Sequence, residues 1–328
     1  MINDFLVGII NGINSVINDY GWSIVVFTVF IKLLLLPFDY KSRKSMRRMT
    51  ALQPEIAKLQ KRYANDREKL NTKTAELYRK ERINPMSGCV PMLLSFPVLI
   101  AMFSAMRYVA NQQLAIQAIE LITDSSLFQP DHFLWIKNLW MPDSPFATFY
   151  PDMNALKLVP ADVWANVIQG FQGTETLNAL AALGIDATTI NGESVFAVLQ
   201  TLPSYTEHMA LSPSMPSINL IFMNLNIYLN NNGWFILPVL AAGTQILMTK
   251  TQPQMNADPN APGAGANKMM MYFFPVFSLF ICASNNAAFA LYWVASNVFA
   301  WGQSIVFNKM FEKQDALAKA NGGEDVLK

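Results

Sequence analysis

Charge is what this sequence has least of: Asp, Glu, Lys and Arg make up 14% of its 328 residues, against about 25% in ordinary globular domains. That shortage argues against a typical soluble enzyme, and the 52% hydrophobic content argues against disorder. A basic excess is missing too. The formal net charge is +1 and the pI about 7.7, so direct nucleic-acid binding, which needs a basic face, is not expected. Cysteine is nearly absent; Cys89 and Cys282 lie inside apolar runs and imply no disulfide framework. The only histidines, His132 and His208, have no metal-ligand neighbour at helical spacing. P-loop, G-x-S-x-G and H-E-x-x-H motifs are lacking. No catalytic residue, metal site or cofactor is therefore expected, and no enzyme. A mean hydropathy of +0.23 is also too low for a chain that is membrane from end to end.

The charges that do occur leave long gaps, and uncharged apolar stretches of about 18 residues are membrane-span candidates. Trp22–Phe38 is interrupted only by Lys32, Cys89–Met106 carries no charge, and Gly233–Thr249 is a third such stretch. Met269–Asn308 runs 40 residues without Asp, Glu, Lys, Arg or His, enough for two crossings with Asn285–Asn286 as the break. The expected fold is an all-α polytopic membrane protein with a core of five transmembrane helices at 22–38, 89–109, 233–249, 269–285 and 288–308. Between and around them come an outer interfacial helix (1–21), a cytoplasmic helical hairpin (39–88) and an extended outer loop region (110–232). A cytoplasmic linker (250–268) and tail (309–328) complete the division. Ile218–Leu229 is apolar but too short to span and reads as interfacial or re-entrant.

Split along the chain, the charge becomes informative. Lys41–Arg82 holds 14 Lys or Arg and 5 Asp or Glu, net +9, while Ala110–Pro216 holds 2 Lys and 10 acids, net −8. The positive-inside rule puts the first segment in the cytoplasm and the second outside, hence the N-terminus out and the C-terminus in. Lys250 and Lys268, then Lys309 and Lys313, fall on the same cytoplasmic side. Met1–Tyr20 has no basic n-region or A-x-A site, and Phe5, Ile9, Ile13 and Val16 recur at helical spacing, as in a helix lying on the outer surface.

Two segments invite a functional reading. In Lys41–Arg82, Met46, Met49, Leu52, Ile56, Leu59 and Tyr63 form one helical stripe, with a polar break at Asn65–Asp66 before a second. Pro54 either kinks the first helix or opens a new one. The hairpin is either a solvated basic arm resting on anionic headgroups or a recruiting arm for an acidic partner or an emerging polypeptide. Lys32, ten residues into its span, either snorkels to the interface or faces a watery recess. Thr28 one turn away, with Gln245, Asn297 and Gln303 in other spans, adds polar groups at membrane depth, each also explicable as an ordinary interhelical hydrogen bond. No acid lies within any expected span to neutralise Lys32, which argues against a proton relay and for a transient anionic guest. A secondary transporter for a small anion and a non-inserting assembly chaperone are the rival classes; the first predicts internal repeats, and none is visible.

Over about two thirds of its length the chain resembles the YidC/Oxa/Alb membrane protein insertases. The matching pieces are Thr28-Val-Phe-Ile-Lys32 with Leu36–Pro37, Leu52-Gln-Pro54-Glu-Ile, and Asn84-Pro85-Met-Ser-Gly88-Cys89-Val-Pro91. Further along come Phe133-Leu-Trp135-Ile, Ile236-Leu-Pro238 and Leu291-Tyr292-Trp293-Val-Ala-Ser296-Asn297. The resemblance implies a bacterial cytoplasmic (inner) membrane protein that inserts hydrophobic segments of newly synthesised proteins. Its groove would be hydrated, positively charged and open to cytosol and lipid. Lys32 would supply the groove charge, where the family pattern has arginine. Thr28, Ser95, Phe96, Gln245, Tyr292, Trp293 and Asn297 would be groove or substrate contacts. The implied partners are nascent membrane proteins and membrane lipid, with ribosome, targeting factors and a Sec-type translocon as further candidates. Two more departures from the pattern are Asn285-Asn286-Ala287-Ala288 in place of a Phe-Pro-x-Gly turn, and an outer insertion of about 85 residues, roughly Asp143–Asn232.

Overall fold

The computed structural model describes residues 2–81, 90–171, 175–212, 218–220, 223–251 and 269–320; the side chains at 2, 90–96, 99, 218–225, 269, 270, 318 and 319 are not among those described. The Asn84–Pro91 motif (save the backbone of its last two residues), residues 252–268 of the expected linker, and the side chains of Ser95 and Phe96 therefore lie outside the described residues. The architecture is helical. α1 spans Ile2–Ile17, α2 Tyr20–Ala51, α3 Gln53–Arg62, α4 Arg67–Lys80 and α5 Val90–Thr123. Short helices follow: α6 Met153–Leu156, α7 Ala161–Gly170, α8 Glu175–Ala182, α9 Gly192–Leu199 and α10 Pro203–His208. α11 is Ile236–Thr251, α12 is Phe274–Ala283 entered through a π-turn at Met269–Phe273, and α13 is Ala287–Ala320. Among the described residues one helix, α2, is long and apolar enough to cross a membrane, with a mean hydropathy of 2.0 over its best window.

Helix boundaries follow local chemistry. Asn18 takes a left-handed conformation (φ 56°), which ends α1 short of the expected residue 21. Leu6 and Ile10 are the buried face of α1, whereas Phe5 and Val16 are 66% and 84% exposed, so the helix carries apolar residues on two faces rather than one. Pro54 opens α3 rather than kinking it, and Asp66 caps α4 by accepting from the Lys69 N–H at 3.0 Å. α2 itself continues unbroken to Ala51, so the first part of the expected hairpin prolongs the first expected span. α5 likewise runs past residue 109 to Thr123, because no Gly or Pro interrupts Ala110–Thr123 before Asp124, whose carboxylate accepts from Ser126. Asn285 and Asn286 act as the expected break: Asn285 donates to the Ile281 carbonyl at 2.8 Å, and Asn286 accepts from the Phe289 N–H at 2.9 Å. Within Ile218–Leu229 the chain forms two three-residue antiparallel strands, β1 Ile218–Leu220 and β2 Met223–Leu225, pairing Ile218 with Leu225. An apolar stretch of this length satisfies its backbone groups by folding on itself.

The chain divides into two compact units. The first comprises residues 1–27, 101–241 and 279–294. Its core includes Ile10, Ile24, Phe27, Met102, Met106, Ile119, Trp140 and Trp164, all at or below 1% exposure. Its segments around Asn138–Asp143, Asn232–Leu237 and Ala287–Ala288 are stitched by a buried polar knot. Asn232 donates to the carbonyls of Asn138, Met141 and Pro142 at 2.8, 3.0 and 2.9 Å and accepts from the Asn138 N–H at 2.8 Å. Asp143 accepts from Trp135 Nε1 and from the N–H groups of Trp234 and Leu237, the last two at the start of α11. The Ala287 and Ala288 N–H groups at the start of α13 donate to the Met141 and Leu139 carbonyls at 2.9 and 2.8 Å. Gly233 is required where it stands, since a Cβ there would collide with the Asp143 carboxylate.

The second unit comprises residues 28–100, 242–278 and 295–328. In it Met49, Leu52 and Ile56 are buried, three of the stripe expected for the hairpin, although the helix is interrupted at Leu52. The far ends of α2 and α13 are joined by an aromatic and arginine ladder. Tyr40 stacks on Phe311 at 5.4 Å, Arg43 lies over Phe307 at 5.9 Å and Arg47 over Phe311 at 5.5 Å. Arg47 closes it with a 2.8 Å ion pair to Asp315.

Candidate functional site

Most of the polar residues singled out in the apolar runs belong to the second unit. Thr28 is 1% exposed, Gln245 and Asn297 6% each and Gln303 8%, so all four are buried. A buried amide or hydroxyl costs free energy unless it is bonded. Asn297 donates to Thr244 Oγ1 at 3.3 Å, joining α13 to α11, and Thr249 Oγ1 donates to the backbone carbonyl of Gln245 at 2.8 Å. Lys32 is half-buried on α2.

Around Lys32 stand charges the sequence reading did not bring in. Asp39 and Arg43, two and three helical turns further along α2, both act electrostatically on the Lys32 ammonium. Asp39 accepts from Gln303 Nε2 at 3.2 Å. Arg43 donates to Ser304 Oγ at 2.7 Å, and Ser304 in turn donates to the Thr251 carbonyl at 2.8 Å, which also accepts from Asn308. No acid lies within the expected span itself, but Asp39, one residue beyond it, is inside the electrostatic reach of Lys32. The result is a polar seam drawn from α2, α11 and α13, with a cation–anion–cation sequence along α2. The formal charges of that sequence, Lys32, Asp39 and Arg43, sum to +1.

Tyr292 and Trp293 belong to the first unit. Tyr292 is buried, and Trp293 packs on Phe289 at 5.6 Å with its indole Nε1 buried and without a hydrogen-bond partner among the described residues. Phe289 meets Phe103 edge-on at 5.0 Å, and Arg107 covers Phe103 at 4.6 Å. The same unit has an acidic corner at Glu120 and Asp131. Burial, then the Asp131 charge, pushes the Glu120 carboxyl up to about 7. Burial also raises Asp131, against the hydrogen bond from Trp140 Nε1. No cluster of three or more His, Cys, Asp or Glu suited to a metal occurs among the described residues.

A helical chain with one described helix long and apolar enough to cross a membrane, and with polar side chains buried among its apolar segments, has the features of a membrane protein. The family described as 60Kd inner membrane protein matches residues 12–314, and the chain belongs to that family. Its relatives include proteins named Membrane protein insertase YidC. That of Fusobacterium nucleatum is 42% identical over 107 residues, covering 33% of this chain and 52% of the relative. Those of Leptospira interrogans and Chlorobaculum tepidum are each 25% identical, over 299 and 313 residues, covering 91% and 95% of this chain but 32% and 36% of the relatives. The chain thus spans between about a third and a half of the length of these curated relatives.

Proposed function

We propose that this chain inserts hydrophobic segments of newly synthesised proteins into the cytoplasmic membrane of a bacterium. Membership of the 60Kd inner membrane protein family supports the reading, as do relatives that carry the insertase name. The observation that carries the mechanism is the buried polar seam of α2, α11 and α13 with Lys32 beside it. Five spans, at 22–38, 89–109, 233–249, 269–285 and 288–308, hold the N-terminus outside and the C-terminus inside, following the +9 and −8 charge split.

A client's short polar outer segment enters a hydrated recess along the seam, drawn by the net positive charge of Lys32, Asp39 and Arg43. Hydration and the side chains of Thr28, Gln245 and Asn297 lower the cost of taking that segment part-way across. The client's apolar helix then leaves into lipid along the second and fifth spans, with Ser95, Phe96, Tyr292 and Trp293 as its contacts. Burial worth about 25 cal/mol per Å² drives that step. No covalent bond or nucleotide is needed. The basic α3–α4 hairpin receives clients on the cytoplasmic side.

Reconstitution in liposomes with a single-span client tests this. Wild type inserts the client above the level of empty liposomes, and Lys32→Ala lowers insertion about tenfold, equivalent to about 1.4 kcal/mol. Equal insertion by Lys32→Ala removes Lys32 from the mechanism. No insertion above empty liposomes removes the function, and anion uptake in its place would make the chain a transporter.

A further inference from the structure

The first unit contains a cavity of about 490 Å³, within the range of about 300–1,000 Å³ typical of ligand sites. It lies between α1, the far part of α5 and α7. Its lining is unusual in kind: five carboxamides, Asn11, Asn14, Gln112, Gln113 and Asn166, with the hydroxyls of Ser15 and Tyr20. Lys, Arg, Asp, Glu and His are all absent from that lining. Burial raises the Tyr20 phenol, which stays neutral. Several of these groups are already fixed. Gln113 donates to Tyr20 Oη at 3.0 Å, Asn14 accepts from Ser23 at 3.1 Å, and Asn166 donates to Tyr108 Oη at 3.3 Å. Asn11 and Gln112 have no side-chain hydrogen bond among the described residues, so their donors and acceptors face the cavity uncommitted.

An uncharged lining offers no counter-charge to a phosphate, a carboxylate or an amine, and so does not favour a charged ligand. A carboxamide both donates and accepts, and so does the peptide group. Asn14 and Ser15 lie three and four residues beyond Asn11, so two polar positions stand about one helical turn apart, roughly 5 Å along α1. Same-side peptide groups of an extended strand repeat every 6.6–6.8 Å or so, a difference flexible side chains span. Ile116, Val167 and Phe171 supply an apolar wall for side chains of a bound segment. A free sugar is the competing ligand, since its hydroxyls also donate and accept.

We infer that this cavity binds a short extended stretch of polypeptide through its backbone, without regard to the charge of its side chains. The natural ligand is a segment of a client that has reached the outer side, so the inference rests on the insertase reading.

The test uses the full chain in lipid nanodiscs and a fluorescent octapeptide of Gly, Ser and Asn. Wild type is expected to bind it with an affinity little changed by salt and equal for versions bearing one Lys or one Asp. Gln112→Leu with Asn11→Leu should weaken binding about tenfold, two lost hydrogen bonds. Gly170→Phe should abolish it, since a side chain at Gly170 meets nothing within 4 Å and enters the cavity's space. A peptide N-methylated along its backbone should not bind. Binding of maltotriose instead, equal binding of the methylated peptide, or no binding to wild type would each overturn the inference. Unchanged melting of the variants separates lost binding from lost fold. Insertion of the liposome client by the same preparation is scored independently: insertion without peptide binding overturns this site alone, whereas peptide binding without insertion overturns the insertase reading.

Discussion

Asp39 changes what a client encounters at Lys32. An acid about 10 Å further along the helix partly satisfies the ammonium, so a carboxylate on an incoming segment has to compete with it. Asp39→Asn is therefore expected to raise insertion of clients with acidic outer segments about twofold to fivefold and to leave neutral clients unchanged, read in the same liposomes. Glu120 supplies a second outcome. Its carboxyl, held up at about 7 against an ordinary value of 4.5, keeps its proton in the folded state while the unfolded chain loses it. Stability from this group is complete below about pH 4.5 and is lost as the pH rises to about 7. Glu120→Gln should raise the melting temperature at pH 8 and leave it nearly unchanged at pH 4. At this scale the seam was half legible. Thr28, Lys32, Gln245 and Asn297 stand out because any polar residue inside an apolar run is conspicuous. Asp39, Arg43 and Ser304 sit at or near the run ends, where polar residues are ordinary, and only the packing of α13 beside α2 gives them a role.

At the scale of elements, the helices were legible from apolar runs while several of their ends were not. The chain breaks where local chemistry forces it, at Asn18, Pro54 and Asn286, and continues where nothing does, as in α2 beyond Phe38 and α5 beyond Met106. Hydropathy finds the part of a helix that can lie in lipid, not the part that continues into water. Asn286→Ala should cost about 1 kcal/mol by removing the cap of α13, measured by denaturant unfolding in micelles. The ladder between α2 and α13 gives a further outcome. Arg47 holds both an ion pair and a ring contact with the far part of α13. Arg47→Ala is expected to speed amide hydrogen exchange in residues 305–320 several-fold, with little change elsewhere, as a local opening does. Length alone excludes a span for Ile218–Leu229 but does not reveal that two short strands pair there.

At the scale of the molecule, residues 110–232 were the least legible part, since their weak periodicity does not reveal the five short helices α6–α10. The ends of the expected insertion are its best-defined feature. Thr148 bridges to Asn231, and the Asn232 N–H donates to the Ala147 carbonyl at 2.8 Å, so entry and exit lie side by side. Asn232 is 0% exposed and holds three carbonyls, so Asn232→Ala should cost about 2–4 kcal/mol and loosen both the outer segment and the start of α11. Replacing residues 149–230 by a short Gly/Ser turn should leave a folded protein that still inserts its client in a Lys32-dependent way, while octapeptide binding, which needs Asn166, disappears.

The side-by-side ends have a historical consequence. A socket whose two contacts touch does not register how much chain hangs from it: doubling the length of a flexible loop costs only about 0.6 kcal/mol in closure entropy. Whatever folded unit presents neighbouring termini can be plugged in there, enlarged or dropped, without disturbing the helices beneath. Close kin of this protein should accordingly differ most, in both size and fold, between Ala147 and Asn232, and should keep an amide and a carboxylate at the two edges of the socket.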